Sequence, residues 1–103
     1  MTRALAFLTI PMAVVLPVMA HEAPTGWRYG WECCSNQDCR QLASSEVEEG
    51  PAGYRIRLTG EIIPYSDARI KLSRDEFFHQ CTPGGVIDAI RSICLYVPDR
   101  VLS

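Results

Sequence analysis

Hydrophobic and polar residues alternate along several short stretches of this chain, and such alternation predicts half-buried β-strands. The clearest stretch is 54–58, YRIRL, where Tyr54, Ile56 and Leu58 share one face. Three more stretches have strand-like patterns, at 61–63, 65–72 and 94–97. Proline or glycine turns separate them, as at 50–53, GPAG. The pattern therefore predicts a mainly β domain of short antiparallel strands, with a small α+β fold as the variant if helices form.

Two segments carry a helical pattern instead. Residues 86–93 place apolar side chains at 86, 87, 90 and 93, which predicts one or two helical turns. Ser73 and Glu76 have the spacing of a capping box, which predicts a short helix in the segment 74–81. The alternative prediction for this segment is a strand that ends at Cys81.

The first twenty residues have the pattern of a secretory signal peptide. Arg3 is followed by an almost wholly apolar run, and Val18-Met19-Ala20 fits a cleavage site. Cleavage would leave one domain, 21–103, with nine basic and twelve acidic residues once Arg3 is removed, a net charge of −3. This charge excludes the basic surface that nucleic acid requires, and no stable membrane span is expected after cleavage. We therefore expect a periplasmic or secreted protein.

Five cysteines in an exported chain this small predict a disulfide-stabilised domain. The candidates are Cys33, Cys34, Cys39, Cys81 and Cys94. A bond between the adjacent Cys33 and Cys34 is disfavoured, because neighbouring Cα atoms lie closer than bridged cysteines normally do. The spacing leaves the remaining pairings open. The unpaired fifth cysteine suggests an inert thiol or a disulfide-linked dimer, since the C-x-x-C spacing of a redox motif is missing.

Trp27, Tyr29 and Trp31 alternate ahead of the first cysteines, so an extended segment would place their rings on one face. The favoured interpretation is that they cover the core of a small domain. The alternative is an aromatic platform that binds a sugar or a peptide. A stapled β domain with such residues suits a non-enzymatic binding role, with a periplasmic protein or a glycan as the partner.

No motif for catalysis is present: the sequence contains no G-x-S-x-G, P-loop or H-E-x-x-H pattern. His79 and Cys81 are two residues apart, but an oxidised Cys81 could not act as a nucleophile. We therefore do not expect an enzyme. An alternative function is copper binding, because cleavage would free the amine and imidazole of His21, and His79 could supply a third nitrogen ligand.

The cysteine pattern resembles that of a group of small secreted proteins from alphaproteobacteria. The matching elements are His21, Glu32-Cys33-Cys34-Ser35, Asp38-Cys39, the segment 60–64, Ser73 with Asp75, His79-Gln80-Cys81 and the segment 94–98. The resemblance implies that 77–81 is a strand and that all five cysteines belong to a shared framework. It implies no activity.

Overall fold

The computed structural model describes residues 22–34 and 37–99, and at Cys34 and Gln37 it describes the backbone alone. The proposed signal peptide and His21 lie outside these residues. One helical turn, α1 (Trp31–Cys34), is followed by a 3-10 turn (Ser44–Glu46) and seven strands. The strands are β1 (Gln37–Leu42), β2 (Val47–Gly50), β3 (Gly53–Ile56), β4 (Ile62–Ile63), β5 (Ile70–Leu72), β6 (Phe78–Pro83) and β7 (Cys94–Val97). The mainly β, disulfide-stabilised fold is thus confirmed.

The strands form two sheets. The main sheet has the order β1-β6-β7-β5, in which β1–β6 and β6–β7 are antiparallel and β5–β7 is parallel. The small sheet has the order β2-β3-β4 and is wholly antiparallel. The strand predicted at 77–81 is confirmed by β6, and the one predicted at 94–97 by β7.

The two faces of the main sheet pack against different partners, because successive side chains of a strand point to opposite faces. One face carries Phe78 and Leu95, which form a core cluster with Ile56 and Ile63 of the small sheet. The opposite face carries Cys81, Cys94 and Tyr96, and the N-terminal segment, residues 22–34, covers it with Ala23, Tyr29 and Cys33. Strand β6 is therefore buried from Phe78 to Thr82 without alternation.

Two disulfides fix this arrangement. Cys33 bonds Cys94, which ties the N-terminal segment to the start of β7, and Cys39 bonds Cys81 across the β1–β6 pair. The chain contains five cysteines, so these bonds leave Cys34, whose side chain lies outside the description. In the chain-entropy model, closing loops with separations of 61 and 42 residues stabilises the fold by about 4 kcal/mol each.

A polar cluster joins β6 to the loops around the small sheet. The amide of Gln80 donates to Ser92 Oγ, which donates to Glu61 at 2.6 Å. Arg69 donates to Glu61 at 2.8 Å and to both carboxylate oxygens of Asp67. The hydrogen bonds from the side chain of Arg69, followed by the one from its main-chain N–H, lower the pKa of Asp67 to about 2. These contacts satisfy the buried polar side chains on this face.

The helical segment expected at 86–93 is wrong: these residues form turns and bends. A helix this short is marginal unless one face is buried, and Val86, Ile87 and Ile90 are exposed, Ile90 by 85%. Instead, Ile93 N donates to the carbonyl of Cys81, which brings the chain into β7. The strand expected over 54–58 ends at Ile56, and Leu58 lies exposed in a turn.

Among residues 22–34 and 37–99, no helix has the length and apolar character needed to cross a membrane.

Candidate functional site

Asp75 connects the N-terminal segment to the main sheet. It lies in the bend between β5 and β6, and its side chain is 11% exposed. Its carboxylate accepts hydrogen bonds from Thr25 Oγ1 (2.5 Å), Trp27 Nε1 (2.8 Å), Ser73 Oγ (2.9 Å), Phe77 N (2.9 Å) and His79 Nε2 (2.8 Å). Two donors come from residues 50 and 48 positions away, so this carboxylate holds the segment on the sheet.

The pKa of Asp75 lies well below its ordinary value. Burial on its own would raise the pKa, because it disfavours the charged form, but the hydrogen bonds outweigh it. Those from Thr25, Trp27 and His79 lower the pKa most, followed by the backbone N–H of Phe77. Asp75 is therefore an ionised acceptor at neutral pH.

His79 lies beneath Asp75 on β6 and is completely buried. A carboxylate only accepts hydrogen bonds, so Nε2 of His79 carries the proton that is donated to Asp75. In the neutral ring, Nδ1 then accepts a hydrogen bond from the hydroxyl of Tyr29 at 2.8 Å. Tyr29, His79 and Asp75 thus form a continuous chain from the N-terminal segment to the bend before β6.

The three predicted aromatic residues separate into two environments. The rings of Trp27 and Tyr29 pack edge-on with centroids 5.0 Å apart, and both contact His79 and Tyr96. Tyr29 is 5% exposed and belongs to the core cluster, whereas Trp31 is 74% exposed. The alternation therefore does not create one aromatic platform, because α1 begins at Trp31 and turns its side chain away.

The copper prediction concerns His21 and His79. His21 lies outside the described residues, and both ring nitrogens of His79 already have hydrogen-bond partners. A metal ion at His79 would have to displace Tyr29 or Asp75 in the core. Within the described ranges, no group of three or more His, Cys, Asp or Glu side chains is arranged to hold a metal ion. Copper binding stays a prediction.

A pocket of about 460 Å³ lies between the N-terminal segment and β1. One wall is formed by Glu22, Ala23, Pro24 and Tyr29, and the other by Cys39, Arg40 and Gln41. Its size is within the range of ligand sites in proteins. Gln41 adds an unsatisfied group: its Oε1 is buried and accepts no hydrogen bond from the described residues.

Tyr29 connects the pocket to the buried hydrogen bonds between Tyr29, His79 and Asp75. Tyr29 lines the pocket while its hydroxyl contacts His79. His79 does not line it and has no exposed surface. The Tyr29–His79–Asp75 chain therefore positions one wall of the pocket, and the arrangement suits binding better than proton transfer to a ligand.

Sequence reasoning did not identify Asp75, Arg40 or Gln41 as site residues. Ser73 and Asp75 form a local turn in which Asp75 N donates to Ser73 Oγ, and this spacing was visible in the sequence. The donors from Thr25 and Trp27 were not visible, because they depend on how the N-terminal segment crosses the sheet.

No family profile matches the chain, and no curated protein or solved structure shows significant similarity to it. The site is therefore interpreted from its own geometry.

Proposed function

We propose that this protein is a non-enzymatic binding module of the periplasm or the extracellular space, and that its ligand occupies the pocket between the N-terminal segment and β1. The observation that carries the proposal is the pocket itself, with its apolar wall at Ala23, Pro24 and Tyr29 and the polar side chains of Arg40 and Gln41 on β1. Concave sites that combine apolar walls with a few polar groups are typical ligand sites.

The disulfides support the location. Two intramolecular bonds are compatible with an oxidising compartment. Placement in the periplasm further rests on the signal-like sequence of residues 1–20.

The chemistry of the buried groups supports binding over catalysis. The Asp75 carboxylate and both nitrogens of His79 are hydrogen-bonded to protein groups, so they serve to hold the pocket wall in place. A catalytic acid or base must reach the proton it transfers, and His79 has no exposed surface from which to do so.

The proposal is tested by blocking the pocket. Glu22 is exposed and lines it, so Glu22→Trp should fill part of the space without disturbing the core. Glu49→Trp, on the exposed face of β2, is the matched control. The wild type and both variants are immobilised and exposed to a periplasmic extract of the native host with a chelator present, and the bound molecules are quantified by mass spectrometry.

The expected result is a bound species that the wild type and Glu49→Trp retain equally and that Glu22→Trp retains about tenfold less. Thermal unfolding must first show that all three proteins are folded. Equal retention by Glu22→Trp, or loss of the bound species from Glu49→Trp as well, would overturn the assignment of the pocket.

A further inference from the structure

Strand β1 forms one edge of the main sheet, and its pairing with β6 shows where its main-chain groups point. Cys39 lies directly opposite Cys81 with the Cα atoms 3.9 Å apart. This narrow separation is typical of a pair that does not exchange main-chain hydrogen bonds. The N–H and C=O of Cys39 therefore point away from β6.

The pairing of β6 with β7 independently shows that Cys81 and Cys39 do not exchange main-chain hydrogen bonds. The carbonyl of Cys81 accepts a hydrogen bond from Ile93 N at 2.7 Å, at the entrance to β7. Since the N–H and C=O of one strand residue point to the same side, Cys81 pairs towards β7 and not towards β1. The direction alternates along a strand, so Arg40 pairs with β6, and Gln41, like Cys39, points outwards.

These outward groups have no partner in the part of the chain that the structure describes. No main-chain hydrogen bond of the described residues involves the outer side of Cys39 or Gln41. Their N–H and C=O groups recur every second residue, about 6.8 Å apart in an extended strand. Unpaired main-chain groups on a sheet edge form a template for another strand.

The pocket follows this edge. Cys39, Arg40 and Gln41 are consecutive, and their side chains alternate between the two faces of the sheet, yet all three line the same pocket. A cavity that runs along the open edge of β1 would be bordered by three consecutive residues in this way. We interpret it as a groove beside β1, with Glu22, Ala23 and Pro24 on its far side.

We propose that this groove binds an extended peptide segment of a partner protein, which joins the main sheet as a further strand beside β1. The proposal rests on the binding function proposed above and names its ligand class. Main-chain hydrogen bonds to Cys39 and Gln41 provide affinity, as in other cases of strand addition.

The two sides of the groove define the chemistry of this peptide. On one side, Tyr29, Ala23 and the Cys39–Cys81 disulfide present an apolar surface. On the other side lies Arg40, which is bound to Glu46 at 3.2 Å. Successive peptide side chains would face these two sides in turn, so the preferred segment alternates apolar and polar residues.

The test uses random linear peptides displayed on phage and selected on the wild-type protein, with Glu22→Trp used to discard peptides that bind elsewhere. A selected peptide is then resynthesised with single N-methyl groups on successive residues. A strand that pairs along one edge directs alternate N–H groups towards β1. Every second N-methyl group should therefore weaken binding about tenfold, and the intervening ones should have little effect.

A matched pair of protein variants tests the same contact from the other side. Gln41→Ala removes the glutamine side chain and keeps the outward N–H. Gln41→Pro removes the glutamine side chain and the outward N–H, and it keeps the pairing with β6 because that N–H does not point towards β6. We expect Gln41→Pro to bind the peptide about tenfold more weakly than Gln41→Ala. Thermal unfolding establishes that both are folded, and the N-methyl scan keeps the proposal testable if Gln41→Pro is not.

Hydrogen exchange shows whether the edge of β1 is instead covered by the chain's own residues or by a second copy of the protein. In the free protein the amides of Cys39 and Gln41 should exchange quickly while that of Arg40 is protected, and the peptide should slow the first two. Protection of Cys39 and Gln41 without peptide would mean that the chain's own residues cover the edge. Protection that rises with protein concentration would mean a second copy. Either result would overturn the proposal.

Failure of this proposal is distinguishable from failure of the proposed function. A ligand that Glu22→Trp loses, but that shows no alternation on N-methylation or is not a peptide, leaves the pocket assigned and excludes strand addition. Failure to select any peptide that requires the open groove also excludes strand addition. Equal retention of the native ligand by Glu22→Trp excludes the pocket as a whole.

Discussion

Replacing Asp75 by asparagine tests whether one carboxylate holds the N-terminal segment on the sheet. The side chains are nearly equal in size, so the change acts on hydrogen bonding: one of the two acceptor oxygens becomes an NH₂ donor. In the wild type, Oδ2 accepts from Thr25 and Trp27, Oδ1 accepts from Ser73 and Phe77, and His79 contacts both oxygens. Neither orientation of the amide preserves this set.

The magnitude follows from the two donors that cannot rotate away. If the amide nitrogen replaces Oδ2 it faces the indole N–H of Trp27, and if it replaces Oδ1 it faces the backbone N–H of Phe77. An unsatisfied buried donor costs about 1–3 kcal/mol, and the remaining bonds lose the contribution of the charge. We expect Asp75→Asn to lower the free energy of unfolding by about 3 kcal/mol at pH 7. Such a loss is large beside a total stability of about 5–15 kcal/mol.

The effect should depend on pH in a definite direction. The pKa of Asp75 is lower in the folded protein than its ordinary value of 3.8. A depressed folded-state pKa adds stability that is fully present above the unfolded-state pKa and is lost as the pH falls through the folded-state pKa. Asparagine does not titrate, so the difference between wild type and variant should shrink by about 1 kcal/mol between pH 7 and pH 3.

Urea unfolding followed by tryptophan fluorescence measures the loss of stability and its pH dependence, since Trp27 donates a hydrogen bond to the Asp75 carboxylate. Asp88→Asn, at an exposed carboxyl in the loop before β7, is the control and should change stability by less than about 0.5 kcal/mol. A cost for Asp75→Asn below about 1 kcal/mol at pH 7 would refute the argument. The same cost at pH 3 and pH 7 would refute the assignment of an ionised acceptor.

Four further measurements test other parts of the structure. Gly53→Ala should lower the free energy of unfolding by about 2–3 kcal/mol in urea titrations, because the residue has a φ of 144° and an added Cβ would lie 2.3 Å from the carbonyl oxygen of Ile63. Replacing Cys33 and Cys94 together by alanine should cost about 4 kcal/mol in the same assay, and a cost near zero would contradict the stapling role. Alkylation of the unreduced monomer after unfolding in denaturant, followed by intact-mass analysis, should add one group, since two disulfides use four of the five cysteines; five groups would exclude the disulfides. Calorimetric titration with Cu(II) tests the copper prediction by comparing protein that begins at His21 with protein that carries one extra N-terminal residue; a clear loss of affinity with the extra residue would support the copper site, and equal affinity would exclude it.

Much of the fold could be predicted because its signals are local. The β-rich stretch ending at Pro98 is strand β7, and the turn at 50–53 joins β2 to β3. The cysteine content predicted a disulfide-stabilised domain, but which cysteines bond depends on which strands are neighbours. Cys39 meets Cys81 only because β1 pairs with β6 in the register that places them opposite each other.

The errors have a common physical origin. An apolar periodicity predicts a helix only if the apolar face is covered, and nothing among the described residues covers Ile87 and Ile90. Likewise, Leu58 continues an alternating pattern, but the chain turns at 57–59 so that β4 can pair with β3. In both places tertiary context overrides the local pattern.

The site was less accessible to prediction than the fold, because its key contacts join distant residues. His79 was identified as a candidate ligand from its residue type, yet the groups that occupy its nitrogens come from the bend before β6 and from Tyr29, fifty residues away. Conversely, Gln41 has no chemical signature in the sequence. Its importance follows from its position on an edge strand beside a groove.

Both faces of the main sheet are covered, which is why we place the proposed binding site at its edge. The N-terminal segment covers one face of the main sheet and the small sheet covers the other, so β6 and β7 are buried and have no surface for a ligand. In the main sheet, the main-chain groups that do not face a neighbouring strand lie along the outer strands β1 and β5. β5 has only three residues, whereas β1 has six and borders the groove. The contacts that hold the N-terminal segment in place, centred on Asp75, therefore also position the far wall of that groove.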